Sequence, residues 1–222
     1  MKQKTTLALV ILVLSSLACS AASQLFGEEP AEPMPVTSDI LFEDDFSDTS
    51  SDWSIFTDEE GTVEYFNEGL HIRVDVVEYY YWSELREVDL PGDVSIEVDA
   101  TKIGGPDNNC FGIMCRFQDE DNFYLIEVSS DGFARIRLIQ DNEFYELSGD
   151  QAIATSAMRF GNATNKLRAD CIGDTITLYI NREEVITVQD SALSYGNIGL
   201  YAGTNDEPGT DIIFDNLTVR QR

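Results

Sequence analysis

Short segments of alternating apolar and polar residues, separated by turn residues, run from Asp39 to the end of the chain. Successive side chains of a β-strand point to opposite faces, so this period of two is typical of strands rather than helices. The pattern predicts one all-β domain, built as a two-sheet antiparallel β-sandwich. The clearest predicted strands are residues 70–76, 94–102, 111–117, 123–128, 133–139, 167–171, 175–181, 184–188, 197–202 and 211–219.

Alternation also assigns the two faces of each predicted strand. One face carries apolar side chains, which we expect to pack between the sheets. These positions are Leu70, Ile72, Val74, Val76, Val94, Ile96, Val98, Ala100, Phe111, Ile113, Cys115, Phe117, Leu167, Ala169, Cys171, Ile176, Leu178 and Ile180. The opposite face is mostly charged, and we expect it to contact solvent or a ligand. It holds His71, Arg73, Asp75, Glu97, Asp99, Thr101, Arg116, Arg135 and Arg137.

The N-terminal residues have a different pattern from the rest of the chain. Two lysines precede an unbroken apolar run at residues 7–14, and small residues follow at 15–22. This three-part order is typical of a secretory signal peptide. The run is shorter than the roughly 20 apolar residues that span a bilayer, so we expect an exported protein rather than an integral membrane protein.

Cys19 directly follows a Leu-Ala pair at the end of this segment. The arrangement resembles the lipobox of bacterial lipoproteins, in which the chain is cut before the cysteine and its sulfur carries a diacylglycerol. Ser16 stands where the box usually has an aliphatic residue. The resemblance implies a signal peptide and lipidated cysteine over residues 1–19, and anchoring to the bacterial cell membrane or surface. The alternative is ordinary cleavage near Ala22, with loss of Cys19.

Residues 20–38 contain repeated proline and glutamate and cannot form a core. We interpret them as a semi-extended tether, which reaches on the order of 3 Å per residue. The predicted organisation is therefore a signal peptide with its lipobox cysteine, a tether, and a β-sandwich domain at residues 39–222.

Acidic residues greatly outnumber basic ones, with 41 Asp and Glu against 14 Lys and Arg and a formal net charge of −27. Such a field repels nucleic acid and anionic membrane surfaces. We therefore expect no nucleic-acid partner, and contact with a membrane through the lipid anchor only. A solvated acidic surface is the commoner reason for such a charge, so the charge does not identify a ligand.

Three cysteines remain after the lipobox. Cys115 and Cys171 both occupy inward positions, so we predict that they form a disulfide bond, which export permits. Cys110 lies on the other face of its strand, roughly 16 Å from Cys115 in an extended chain, and is predicted to be free or near a loop. Buried thiols are the alternative. With one histidine and no paired cysteine motif, a zinc site is not expected.

Several segments occur in an order that resembles a known superfamily. They are DDFSD at residues 44–48, CRFQDEDNFYLIEVSSDG at 115–132, LRADCIGDTITLYIN at 167–181, NIGLYAG at 197–203 and IIFDNLTV at 212–219. The chain resembles the concanavalin A-like lectin and glucanase superfamily, in particular its bacterial domains related to LamG and to the 3-keto-disaccharide hydrolase (DUF1080) group. The resemblance implies a jelly-roll sandwich. It does not select an activity, because the superfamily contains lectins, hydrolases and inert interaction modules.

Sandwich glucanases of this kind carry Glu-x-Asp-x-x-Glu on one strand, which supplies the two carboxylates of a retaining mechanism. Glu97 and Asp99 match the first two positions and are the catalytic candidates of this chain. Lys102 replaces the final glutamate and cannot act as that acid. His71, the single histidine, has no nucleophile motif near it and is interpreted as a surface residue.

Binding of a sugar has better candidates than catalysis. The segment EYYYW at residues 78–82 is the densest aromatic cluster, and alternation places Tyr80 and Trp82 on one side of it. Sugars stack their CH faces on aromatic rings and pair their hydroxyls with charged groups. The predicted ligand-binding set is Tyr80, Trp82, Asp99, Arg116, Arg135 and Arg137. Core packing of the aromatic residues and an ordinary charged surface are the alternative.

A structural calcium is the one cofactor that the sequence suggests. Asp119 and Asp121 cluster oxygen atoms at a turn and are the candidate ligands. Calcium needs six to eight oxygens from several segments, and the EF-hand spacing is absent. Solvated turn carboxylates are the favoured interpretation.

The leading hypothesis is a non-catalytic, surface-tethered binding module for a carbohydrate or cell-envelope polymer. One alternative is a carbohydrate-active hydrolase, of the 3-keto-disaccharide hydrolase or glucanase-like kind. The other is a structural or protein-interaction domain of a surface complex. The oligomeric state stays open.

Overall fold

The computed structural model describes residues 39–86 and 88–222. The predicted signal peptide, Cys19 and the tether lie outside the described residues. Within the described part, no helix is long and apolar enough to span a membrane. The described chain forms two antiparallel sheets packed around one core, so the predicted all-β sandwich is confirmed.

The described residues contain sixteen strands. In chain order they are β1 (Ile40–Asp44), β2 (Phe56–Thr57), β3 (Gly61–Tyr65), β4 (Leu70–Val74), β5 (Tyr80–Glu84), β6 (Val94–Gly104), β7 (Cys110–Asp119), β8 (Asn122–Ser129), β9 (Phe133–Gln140), β10 (Glu143–Glu146), β11 (Ile153–Ala154), β12 (Thr164–Ile172), β13 (Thr175–Ile180), β14 (Glu183–Gln189), β15 (Asn197–Gly203) and β16 (Thr210–Gln221).

The two sheets differ in size and both are antiparallel. The nine-stranded sheet has the order β14-β13-β12-β6-β16-β4-β3-β2, with β1 paired to β16. The seven-stranded sheet has the order β10-β9-β8-β7-β15-β5, with β11 paired to β9. Each predicted strand corresponds to one of these, while β1, β2, β3, β10 and β11 were not predicted, and the aromatic segment forms β5.

Apolar side chains of the two inner faces fill the core, and most of the inward positions predicted from alternation are fully buried. Val76 is an exception, because it lies beyond the end of β4 and is only partly buried. Cys115 in β7 and Cys171 in β12 form a disulfide bond between the two sheets, which confirms the predicted pair. Cys110 is a buried free thiol.

A β-bulge in β7 reverses the predicted faces of two residues. Arg116 has a positive φ of 51°, and the pairing of β7 with β8 shifts register after Cys115. One extra residue in a strand sends the following side chains to the other face. The prediction that Phe117 packs in the central core is therefore wrong, because its ring lies on the outer face beside Phe123.

The same bulge turns Arg116 inward, so its predicted position on an outer, ligand-binding face is wrong. Its side chain is 1% exposed and donates hydrogen bonds to the backbone oxygens of Gly92 (3.1 Å), Leu193 (2.8 Å) and Gly173 (2.7 Å). A 3.4 Å contact with Asp93 supplies the opposite charge. Arg116 thus closes one end of the sandwich by joining three loops.

Candidate functional site

A trough made of adjoining depressions lies along the outer face of the seven-stranded sheet. It consists of three adjoining depressions of about 180, 270 and 540 Å³. The first two share Cys110, Arg135 and Asn205, and the last two share Tyr79 and Tyr80. The depression at the β5 side, lined by Phe56, Tyr79, Tyr80, Trp82 and Phe117, is called the aromatic end. The β9 side, with Glu127, Arg135, Arg137 and Phe144, is called the arginine end.

Strand register aligns the two ends on one row. Arg135 lies opposite Glu127, Glu127 opposite Gly112, Gly112 opposite Tyr201, and Tyr201 opposite Trp82. Directly opposed residues of antiparallel strands share a face, so all five lie on the outer face of the sheet. With strands about 4.8 Å apart, the row spans roughly 19 Å.

Alternation in β5 separates the aromatic cluster as predicted. Tyr81 is buried in the core, whereas Tyr80 and Trp82 stack on the outer face with ring centroids 5.8 Å apart. Tyr80 also lies 6.0 Å from the ring of Tyr201. Tyr80 is 37% exposed, so its ring is available to a ligand that enters the trough.

The floor of the trough is apolar and contains a glycine. Met114, Phe123, Leu125, Ile139 and Tyr201 form a buried cluster beneath it, separate from the central core. A Cβ atom at Gly203 would lie 2.5 Å from the hydroxyl oxygen of Tyr201. Glycine at this position therefore gives the Tyr201 side chain room to lie against the sheet.

A buried carboxylate organises the arginine end. Oε2 of Glu127 accepts hydrogen bonds from Nε of Arg135 at 3.1 Å and from Nε of Arg137 at 2.6 Å, and Nη2 of Arg137 also donates to it. The Glu127 side chain is 2% exposed, and its Oε1 has no hydrogen-bond partner among the described residues. Glu146 lies 3.9 Å from both guanidinium groups. The Arg137 guanidinium also covers the Phe144 ring at 5.3 Å.

The Cys110 thiol beneath this end is not set up as a nucleophile. Burial is the largest cause that raises the pKa of this thiol, to about 12, and the negative charge of Glu127 is the second. Its sulfur lies 3.8 Å from Nη2 of Arg135. A nucleophilic thiol needs a lowered pKa, so at neutral pH this protonated sulfur serves packing and weak hydrogen bonds to Arg135 and Asn205.

Of the predicted ligand-binding residues, the structure brings Tyr80, Trp82, Arg135 and Arg137 together in the trough. Asp99 lies on the outer face of the other sheet, on β6, so the prediction that it joins them is wrong. Alternation assigns a residue to an outer face, but the sandwich has two outer faces and strand pairing selects between them. Arg116 is excluded from the trough by the bulge described above.

Glu97 and Asp99 contact a lysine on the neighbouring strand. Nζ of Lys166 lies 2.9 Å from Asp99 and 3.4 Å from Glu97. Asp215 lies directly opposite Asp99 on the neighbouring strand β16. Burial is the main cause that raises the pKa of Asp215; the charge of Asp99 adds to it, and a hydrogen bond from the backbone N–H of Asn216 partly opposes it. Lys102 points to the inner side, where it contacts Asp107 at 2.8 Å and is 4% exposed.

His71 is not the surface residue that the sequence predicted. It lies on the outer face of the nine-stranded sheet but is only 6% exposed. Its Nε2 contacts Asp211 at 2.6 Å, its Nδ1 contacts Glu64 at 3.3 Å, and Phe66 lies 5.3 Å from its ring. Burial lowers the pKa of His71, but hydrogen bonds and charge from the two carboxylates outweigh it and raise the pKa overall.

The candidate calcium ligands close a tight turn between β7 and β8. Oδ1 of Asp119 accepts hydrogen bonds from the backbone N–H of Asp121 at 2.9 Å and from the side chain of Asn122 at 2.7 Å. In residues 39–86 and 88–222, no group of three or more His, Cys, Asp and Glu side chains is arranged to hold a metal ion. The calcium site stays a prediction.

Sequence reasoning missed Glu127 and Tyr201 as residues of the trough. Both lie within predicted strands, and Glu127 is a lone charged residue in the apolar segment FYLIEV. Its position on the same alternating set as Phe123 and Leu125 was the available signal. Its importance depends on two arginines of the next strand, which the segment by itself does not indicate.

Comparisons with known proteins agree on the fold. No protein-family model and no curated protein matches the sequence. Among solved structures, carbohydrate-binding module CBM66 from Bacillus subtilis matches with a TM-score of 0.63 and 21% identity, over 77% of this chain and 96% of that chain. A Bacillus subtilis protein of unknown function with a galectin-like fold matches with a TM-score of 0.58 and 12% identity, over 82% and 96% of the two chains.

A third similar structure belongs to a larger protein. The GH43 protein BlXynB from Bacillus licheniformis matches with a TM-score of 0.58 and 12% identity, over 81% of this chain and 39% of that one. This chain therefore corresponds to well under half of BlXynB. At these identities the likenesses show the fold alone, and they confirm the predicted jelly-roll β-sandwich.

Proposed function

We propose that this protein is a non-catalytic carbohydrate-binding module that holds a glycan in the trough of the seven-stranded sheet. The observation that carries the proposal is the single row that joins Trp82 and Tyr201 to Glu127 and Arg135. Exposed aromatic rings at one end suit the CH faces of a sugar, and guanidinium groups at the other suit its hydroxyls. The solved structure of a carbohydrate-binding module with the same fold supports this use of the sandwich.

The proposed location follows from the sequence. Lipidation of Cys19 would anchor the protein outside the cytoplasmic membrane, and residues 20–38 would tether the module at a distance from the bilayer. The partner would then be a glycan or an envelope polymer at the cell surface. Labelling cells with a fatty-acid probe tests the anchor, and absence of label from the wild-type protein would contradict it.

Glycan binding is tested by titrating the protein with an oligosaccharide panel, using tryptophan fluorescence and calorimetry as readouts. We expect Trp82→Ala to weaken binding at least about tenfold, which corresponds to about 1.4 kcal/mol. Tyr179→Ala is the matched control, because Tyr179 stacks under Arg168 on the outer face of the other sheet. Absence of binding across the panel, or equal losses in both variants, would contradict the proposal.

A second candidate, hydrolysis, has one supporting observation. Asp215 lies directly opposite Asp99 on the neighbouring strand, and a raised pKa is a property of a general acid. If this face were catalytic, Asp215→Asn and Glu97→Gln would each abolish turnover of a glycan substrate. Turnover that survives both substitutions would remove this face from consideration.

A further inference from the structure

The charges of the trough restrict the class of glycan that it can hold. Among the described residues, seven carboxylates and three guanidinium groups line the three depressions. Each guanidinium already has a carboxylate partner, because Arg86 pairs with Glu84 at 3.0 Å while Arg135 and Arg137 pair with Glu127. The trough is therefore negative, and an anionic ligand would enter it against like charge.

Glu127 decides what the two arginines can offer. Its Oε2 atom accepts hydrogen bonds from the Nε–H groups of both guanidinium groups. A guanidinium carries five N–H donors, so each arginine keeps donors that point elsewhere. Their positive charge is balanced by Glu127 and, at 3.9 Å, by Glu146. The pair can thus donate directed hydrogen bonds without presenting net positive charge.

The geometry of the row indicates the size of the ligand. About 19 Å separates the strand of Arg135 from the strand of Trp82, and one sugar ring cannot reach both ends. The floor between the ends is apolar and continuous. A chain of several sugars laid across the strands would contact the aromatic rings and the arginines together.

We infer that the trough selects uncharged glycan chains over acidic ones, and that Glu127 and Glu146 determine this preference by neutralising Arg135 and Arg137. This inference rests on the proposed function. The expected ligand is an oligosaccharide whose hydroxyls accept hydrogen bonds from the guanidinium groups. Polymers of uronic acids, and sulfated or sialylated chains, are expected to bind poorly.

The test uses matched neutral and acidic probes with the full-length protein. Cello-, manno-, galacto- and fructo-oligosaccharides are titrated at low salt, and each is titrated again after oxidation of its primary alcohols to carboxylates. We expect the oxidised form of a bound sugar to bind at least about tenfold more weakly, with the difference shrinking as salt screens the charges. Longer oligosaccharides should bind more tightly than the monosaccharide.

Glu146→Gln removes one of the two neutralising charges, and because this side chain lies at the surface we expect the variant to fold. The ratio of acidic to neutral affinity should rise about threefold when this charge is removed. Glu143→Gln is the matched control on the same strand. It removes the same charge, but alternation places Glu143 on the face of β10 opposite to that of Glu146. Glu127→Gln should raise the ratio further, provided that circular dichroism shows a folded variant.

The outcomes separate the two proposals. If no neutral or oxidised oligosaccharide binds, the proposed function itself is overturned. If neutral sugars bind but the oxidised forms bind equally well or better, only the selectivity is overturned. An unchanged ratio in Glu146→Gln, or an equal change in Glu143→Gln, would remove these carboxylates from the explanation.

Discussion

Breaking the disulfide between Cys115 and Cys171 should cost the domain a large part of its stability. The two residues are 56 positions apart in sequence, and both side chains are completely buried between the sheets. A cross-link that closes a loop of this length lowers the entropy of the unfolded chain, which corresponds to about 4 kcal/mol at 25 °C. A typical domain is stable by only about 5–15 kcal/mol, so a loss of about 4 kcal/mol would remove a large fraction of the free energy of unfolding.

The assay is urea unfolding of the oxidised and the reduced protein, followed by tryptophan fluorescence. An added thiol reductant breaks the S–S bond of the wild type and leaves one hydrogen on each sulfur, with every other atom retained, so it avoids the cavity that an alanine substitution would leave. The midpoint should fall by the amount that corresponds to about 4 kcal/mol for the measured slope. Cys110→Ala is the control, because it removes the free thiol and should leave the difference between the two redox states unchanged.

Two results would refute this reasoning. A difference between oxidised and reduced protein below about 1 kcal/mol would mean that the unfolded chain gains little freedom on reduction. Loss of the redox dependence in Cys110→Ala would mean that Cys110, rather than Cys115 or Cys171, takes part in the bond.

Two further predictions concern buried charged groups. Arg116→Met retains a long unbranched side chain but removes the donors to three backbone carbonyls. We therefore expect the free energy of unfolding, measured in urea, to fall by about 3 kcal/mol. A decrease below about 1 kcal/mol would contradict the role of Arg116 in joining the three loops. His71 has a raised pKa in the folded state, so its stabilising contribution is complete below the unfolded value near 6.5 and is lost as the pH rises through the folded value. As the single histidine, it should show an NMR titration midpoint above 6.5, and the destabilisation caused by His71→Gln should shrink at high pH; a midpoint below 6.5 would contradict this.

Local alternation predicted the inner faces correctly in regular strands. Val98 and Cys171 face the core because successive side chains of an extended strand point to opposite sides, which is a property of the backbone itself. The disulfide could be predicted for the same reason, since both of its cysteines occupy inward positions. The face assignment failed at Arg116 and Phe117, because a bulge residue with positive φ shifts the alternation there.

The members of the trough could be predicted only in part. Tyr80 and Trp82 were assigned to an outward set, but so was Asp99, which belongs to the opposite surface of the sandwich. Which outer face a residue joins depends on the pairing of strands distant in sequence, and no local pattern carries that information. The burial of Glu127 likewise depends on arginines contributed by the next strand.

The sequence by itself therefore determined the all-β class, the inward positions of the regular strands and the disulfide pair, while the export of the chain stays a prediction. Each of these depends on a local period or a local motif. The tertiary structure decided that Trp82 and Arg135 share one row and that Asp99 lies on the outer face of the nine-stranded sheet. It also decided that His71 is buried. Those facts depend on long-range pairing, because a sandwich joins strands that are far apart in the chain.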